Sequence, residues 1–237
     1  MQMIESRCGI LCSECRFTEC KGCINIANPF WGSCPVKVCC EQKNLEHCGE
    51  CDEFPCELLK SFSFDEKEGD GGKRIEQCEK WKYIIRKFEI EDADEVSALI
   101  AKTLRTTNIK DYSKDYIEND VKQLSPSHVI ERAKWTHFYV VCNKNTIIGC
   151  GAIGPYWGKE DESSLFTIFV LPEYQGKGVG RKIIETLEQD EFFLRAKRIE
   201  IPASITACGF YKKMGYDYKN GIDSVDDELL YRMEKFR

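Results

Sequence analysis

Three glycines at alternate positions, Gly176, Gly178 and Gly180, stand between an apolar run and an amphipathic segment, and that stretch constrains the chain most. The run Leu165 to Leu171 carries three β-branched residues and two phenylalanines, the composition of a buried strand. Pro172 ends it, because proline has no N–H to give a ladder. Beyond the glycines, Val179, Ile183, Ile184 and Leu187 recur at helical spacing. A strand, a glycine loop and a helix N-terminus together form an anion site. The first-turn N–H groups are unpaired, the helix dipole favours negative charge, and glycine admits a close approach.

Several loops share that outline. The nucleoside-triphosphatase loop requires Gly-Lys-Ser/Thr, and here Arg181 interrupts that pattern. The dinucleotide loop requires Gly-x-Gly-x-x-Gly inside a βαβ unit, and the spacing here is Gly-x-Gly-x-Gly with no such unit around it. An ordinary glycine turn accounts for the glycines but not for Gln175, Pro172 and Arg181 around them. Gln175-x-x-Gly178-x-Gly180, after a strand ending Val170-x-Pro172, resembles the acetyl-coenzyme A loop of the GNAT superfamily of N-acetyltransferases. A second segment, ASITACGFYKKMGY, resembles that family's later signature through Ala207, Phe210, Tyr211, Lys213, Gly215 and Tyr216. Ser204 stands where the family usually has Asn. The resemblance covers residues 83–237.

The rest of the chain is consistent with two domains. At 237 residues it is long enough for both. Fifteen cysteines are unevenly spread: eleven lie between Cys8 and Cys56, leaving Cys78, Cys142, Cys150 and Cys208 outside. A formal net charge of −6 argues against nucleic acid as the main partner. No apolar run reaches the ~18 residues of a membrane helix, and MQMIESRCGILC lacks the charged head and apolar core of a signal peptide. The expected location is the cytoplasm.

In a reducing compartment, dense cysteine reads as metal ligation. Cys12/Cys15, Cys20/Cys23 and Cys48/Cys51 are Cys-x-x-Cys pairs, with Cys34/Cys39 a looser fourth. Two thiolates on one tight turn reach one tetrahedral ion, so four pairs suit two structural Zn2+ ions. An iron–sulfur cluster and a disulfide framework are the alternatives, and His47 is a further candidate ligand. The segment CGILCSEC, CKGC and HCGECDEFPCELL also resembles a small cysteine-rich bacterial and archaeal domain of uncharacterised function. That resemblance implies metal binding without implying a reaction. The expected divisions are 1–62 for this domain, 63–82 for an acidic, glycine-rich linker, and 83–237 for the second domain.

In that second domain the order of elements reads β-αα-β-β-β-α-β-α-β, an α/β sheet that is not doubly wound. Asp92 and Glu95 have capping-box spacing ahead of an apolar face of Val96, Leu99, Ile100 and Leu104. Lys144-Asn145 reads as a hairpin turn with positive φ at Asn145. The family resemblance implies a mixed, mostly antiparallel sheet flanked by helices. It further implies acetyl-CoA as co-substrate, with the pyrophosphate on Gln175, Gly176, Lys177, Gly178, Val179, Gly180 and Arg181. Phe169, Val170 and Ser204 would line the coenzyme, and an N–H near Val170 would polarise the thioester.

Tyr211 matches the family's general acid. The family's base register falls on Ser164, which makes nearby Glu162 the candidate base, with Glu160, His128 and His137 competing. Tyr156 and Trp157 suit either a pocket wall or packing on the sheet. The acceptor is an unidentified amine attacked in a ternary complex. A second reading is an acyl-CoA-binding regulatory protein whose cysteine-rich domain recruits a protein partner.

Overall fold

The computed structural model describes residues 4–15, 20–27 and 32–237. Two compact units divide the chain, Met1–Ile84 and Ile85–Arg237. Among the described residues no helix is long and apolar enough to cross a membrane.

The first unit carries α1 (Pro35–Gln42), α2 (Glu57–Ser63) and α3 (Lys73–Lys82). Pro35 opens α1 at a position where its missing N–H removes no helical bond. Two Cys-x-x-Cys pairs form tight turns: the Cys15 N–H donates to the Cys12 carbonyl at 3.2 Å, and Cys51 to Cys48 at 3.0 Å. Val36, Leu59 and Trp81 share one apolar core with Cys8, Cys40, Cys48 and Cys78.

That core corrects the expected linker. α3 falls within residues 63–82, yet its Cys78 is fully buried and Trp81 is 5% exposed. The acidic, glycine-rich stretch before it is pinned as well. The Ser63 carbonyl accepts from the Asp70 and Gly71 N–H groups, and Asp70 pairs with Arg74 at 2.6 Å. Composition reads such a stretch as solvated, but a Ser–Asp–Arg chain of bonds fixes it.

The second unit is built on a seven-stranded sheet. β1 (Ile84–Lys87) spans the boundary and is followed by α4 (Ala93–Thr106), α5 (Lys114–Gln123) and α6 (Pro126–Ala133). Next come β2 (His137–Asn143), β3 (Thr146–Tyr156), β4 (Lys159–Val170), α7 (Val179–Leu187) and the short α8 (Glu191–Arg195). β5 (Arg198–Ala203), α9 (Cys208–Lys213), β6 (Asp217–Tyr218) and β7 (Tyr231–Phe236) complete it. The strand order is β1-β2-β3-β4-β5-β7-β6. β2–β3, β3–β4, β5–β7 and β6–β7 pair antiparallel, and β4–β5 pair parallel. The mixed, mostly antiparallel sheet flanked by helices is therefore present.

α4 buries Val96, Leu99, Ile100 and Leu104 as its periodicity requires. Its cap differs from the expected one. Asp92 stands at its N-cap without a side-chain cap bond and instead closes a capping box with Glu89 on the preceding 3-10 turn Ile90–Asp92, while Glu95 accepts the Ile147 N–H at 2.8 Å. Asp92 is already held by two bonds from Arg86, at 2.6 and 2.8 Å. In the β2–β3 turn, the positive φ falls on Lys144 (55°), not on Asn145.

α7 lies on β3 because β3 has no side chains at two positions. A Cβ at Gly151 would stand 2.4 Å from Ile183 Cγ2, and one at Gly149 would stand 3.0 Å from Val179 Cγ1. All four apolar residues of the α7 stripe are consequently buried. Each such burial is worth about 1.5–3 kcal/mol. The helix, and with it the glycine loop at its N-terminus, is thereby fixed against the sheet.

Candidate active site

The pairing of β4 with β5 is brief. It comprises Glu162↔Arg198, Ser163↔Ile199 and Ser164↔Glu200 only. β4 then runs six more residues against β3, and β5 runs on against β7, so the facing edges part. Parted strands leave backbone N–H and C=O groups that a ligand can pair with. The Leu171 N–H donates to Ile148 across the β3 side, so by alternation the Val170 N–H faces the gap. The Val170 carbonyl is held from the same side by Thr103 Oγ1 at 3.2 Å and Gln175 Nε2 at 3.1 Å. Phe169 lies half-buried against the sheet core.

β4 also carries a bulge. Its register with β3 jumps from Cys150↔Phe169 to Ala152↔Phe166, leaving Thr167 and Ile168 opposite Gly151. Thr167 sits at φ 52°, a conformation that β-branched residues rarely adopt.

The loop leaves β4 through Pro172–Tyr174 and reaches α7. Gly176 and Gly178 have φ of 73° and 83°, where a side chain would be strained. Gly180 serves another purpose: a Cβ there would meet the Phe210 ring at 3.2 Å. The first helical bond runs from the Lys182 N–H to the Gly178 carbonyl. The N–H groups of Val179, Gly180 and Arg181 are thus left without intrahelical acceptors. Lys177 and Arg181 are exposed beside them, so the loop gathers donors and positive charge with no carboxylate paired to Arg181 among the described residues. Gln175 Nε2 also reaches Thr107 Oγ1 at 3.2 Å, which ties the loop to α4.

Tyr211 is 4% exposed on α9, edge-on to Phe210 at 5.1 Å and to Tyr216 at 6.0 Å. Burial, and secondarily Cys208, pushes its phenol well above the ordinary tyrosine value. Its hydroxyl makes no hydrogen bond among the described residues. Ser204 precedes the turn Ile205–Ala207; its carbonyl accepts from Ala207, and its hydroxyl makes no cap bond.

The base candidates are differently placed. Glu162 Oε2 accepts from Arg198 Nη2 at 2.6 Å and Nε at 3.0 Å. A carboxylate held by a guanidinium in this way is an ion-pair partner rather than an open base. Arg198 also binds Glu200 at 2.7 Å and Glu234 at 3.1 Å, and its guanidinium lies 5.0 Å from the Tyr156 ring centroid. Tyr156 thereby packs on the sheet, while Trp157 remains 68% exposed. Ser164 is buried, and its hydroxyl donates to the Glu200 carbonyl. His137 Nδ1 bonds Asp190 at 2.8 Å, and His128 bonds Ser125, the residue before α6. Both histidines have structural partners.

In the first unit the thiols do not group as their sequence pairs do. Cys12 is pushed up to about 11 by burial, and then by Cys23 and Cys20. Cys39 is raised by burial, and then by Cys40, Cys56 and Cys51. Cys48 turns inward, with its Sγ 3.5 Å from Cys40 Sγ, while Cys51 accepts from Lys43. Cys34 precedes α1, and Cys15 and Cys20 are half-buried. Cys8, Cys40, Cys56 and Cys78 thus join a picture that spacing alone confined to eight residues. His47 Nδ1 accepts from the Gly49 N–H, which engages one ring nitrogen locally. Among the described residues no group of three or more Cys, His, Asp and Glu is arranged to hold a metal ion.

Residues 102–216 match the model of the acetyltransferase (GNAT) family, and residues 16–61 match a protein of unknown function, DUF3795. An uncharacterized N-acetyltransferase of Chlorobaculum tepidum is 33% identical over 93 residues, 39% of this chain and 56% of that protein. The match therefore spans little more than half of that relative's length. In structure, the second unit is similar to PaiA N-acetyltransferase from Thermoplasma acidophilum in complex with coenzyme A, with TM-score 0.57 and 21% identity. That match covers 65% of this chain and 99% of the other. A GCN5-related N-acetyltransferase from Rhodopseudomonas palustris gives TM-score 0.53 at 21% identity, covering 65% and 95%. The second unit thus has the fold of these N-acetyltransferases, and residues 102–216 within it match the GNAT family model.

Proposed function

We propose that the second unit moves an acetyl group from acetyl-CoA to an amine, by direct attack in a ternary complex. The observation that carries this reading is the parting of β4 from β5 beyond Ser164↔Glu200, beside a loop whose first-turn N–H groups are open. The N–H groups of Val179, Gly180 and Arg181, with Lys177 and Arg181, suit a pyrophosphate at a helix N-terminus. The Val170 N–H suits the developing oxyanion. A new C–N bond replaces the C–S bond; the nitrogen loses a proton and the sulfur gains one. Tyr211 is the proposed donor of that second proton. With Glu162 held by Arg198, we assign the first proton to solvent reached through the open gap, not to a side-chain base.

Thiol release from acetyl-CoA tests the reading. The expected result is amine-dependent release with at least one member of an amine panel. Tight acetyl-CoA binding with no amine-dependent release would overturn it in favour of a binding or regulatory role.

For the first unit we propose structural zinc on thiols drawn from Cys12, Cys15, Cys20, Cys23, Cys34, Cys39, Cys48 and Cys51. Support comes from the Cys-x-x-Cys turns and from the nearness of Cys12 to Cys20 and Cys23, and of Cys39 to Cys51. Removing metal with a chelator should unfold this unit, and elemental analysis should find about two zinc ions per chain. A folded, metal-free unit would refute the proposal.

A further inference from the structure

Among the described residues Arg132 is a half-buried arginine without a carboxylate partner. It stands near the end of α6, half-buried, with its guanidinium 5.8 Å from the Phe166 ring centroid and Nη1 donating to Thr167 Oγ1 at 2.6 Å. No acidic side chain among the described residues pairs with it. The other half-buried arginines of this unit all meet carboxylates: Arg86 meets Asp92, Arg198 meets Glu162, Glu200 and Glu234, and Arg232 meets Asp226. Burial alone acts on Arg132, pulling it below the ordinary arginine value with no acidic charge opposing the pull. Withdrawing a guanidinium from water is costly unless a partner repays it. A guanidinium with most of its N–H groups unused is built to receive a planar anion in two-pronged fashion.

Its position indicates which anion. Thr167 belongs to the β4 bulge, three residues before Val170, whose N–H faces the gap. The side chain that Arg132 touches is therefore part of the strand that borders the reaction. Aromatic rings surround the same point. Trp135 and Trp157 stand edge-on to Phe166 at 5.1 and 5.8 Å, and both remain substantially exposed, at 43% and 68%. A cation beside solvent-facing indoles suits a ligand with a carboxylate at one end and an apolar body at the other.

Resting on the acetyl-transfer reading, we infer that Arg132 holds the carboxylate of the acceptor, and that the acceptor is a free amino acid with an apolar or aromatic side chain. Its body lies on Trp135, Phe166 and Trp157, and its amine turns toward the gap between β4 and β5.

The test compares kcat/KM, by thiol release, for L-phenylalanine and L-leucine, their amides, their decarboxylated amines, and the dipeptide Ala-Phe. The wild type should prefer the free acids over amides and amines by about 100-fold. Arg132→Gln should abolish that preference by raising KM for the acids, leaving amides and amines unchanged. Arg132→Lys should keep part of it, since the charge remains without the fork. Unchanged acetyl-CoA affinity in both variants would show that they fold. Equal use of acids, amides and amines by the wild type would overturn the inference, as would a variant that slows all of them alike. Preference for the dipeptide would overturn the free amino acid in favour of a peptide terminus. Should no amine turn over, calorimetric titration of N-acetyl-L-phenylalanine into CoA-loaded protein decides. Binding that Arg132→Gln removes would uphold the carboxylate site and leave acetyl transfer as the failed premise; no binding would overturn the site.

Discussion

Tyr211→Phe should lower kcat for acetyl transfer about 100-fold, with acetyl-CoA affinity little changed. The substitution removes one oxygen and keeps the ring that packs edge-on against Phe210 and Tyr216. Burial raises the phenol above its ordinary value, so the hydroxyl stays protonated through any practical assay range. A group of this kind donates a proton without contributing an alkaline limb to the rate profile. Its stability effect should have the opposite sign. The Tyr211 hydroxyl makes no hydrogen bond among the described residues, so removing it breaks none and the variant should melt no lower than the wild type. Stopped-flow thiol release and a thermal melt read the two effects separately. An unchanged kcat would reduce Tyr211 to a packing residue.

Arg198→Met should destabilise the second unit by about 3–5 kcal/mol at neutral pH, because it strips the guanidinium from buried carboxylates. Glu162, Glu200 and Glu234 converge on Arg198, whose side chain is 13% exposed, and Lys219 reaches only Glu200. The pH dependence carries the sign. Burial alone would push the Glu200 carboxyl up, but Lys219 and Arg198 more than offset that and hold it below the usual range. Its stabilising contribution is therefore present above the unfolded value of about 4.3 and is lost as pH falls through the folded value. In the variant, protonation relieves repulsion instead of breaking a pair. The gap between wild type and variant should accordingly narrow from pH 7 toward pH 4 in urea titrations. A gap constant with pH would mean that Arg198 acts by packing on Tyr156.

Much of the site was legible because it is local in the chain. A strand, a proline, glycines needing positive φ and a stripe at helical spacing lie within Leu165–Leu187, and each leaves its mark in residue type. What was not legible depends on register or on distant contacts. Thr167 adopts φ 52° because β4 slips by one residue against β3, and no composition announces a slip at a threonine. Gly149 and Gly151 are clearances for Val179 and Ile183, a role that depends on how α7 packs on β3. Arg132 meets Thr167 only because the bulge turns that residue toward it, which no spacing in the sequence marks. Glu162 stands two residues before the base register at Ser164, and the parallel register with β5 sets it opposite Arg198. Cys78 was separated from the cysteine-rich segment by an acidic stretch, and the bonds of Ser63, Asp70 and Arg74 fold it back.

Gly180 links two parts that are otherwise described apart. A Cβ at residue 180 would stand 3.2 Å from the ring of Phe210, the neighbour of Tyr211, a tighter approach than side chains ordinarily make. The proposed anion end of the site and its proposed proton donor are therefore gauged against each other through that one contact. Under the acetyl-transfer reading, a coenzyme anchored at the loop would be measured out to a fixed length before its thiol end meets the phenol. Adding one carbon at residue 180 would push Phe210 and the loop apart by a few tenths of an ångström and so lengthen that spacing.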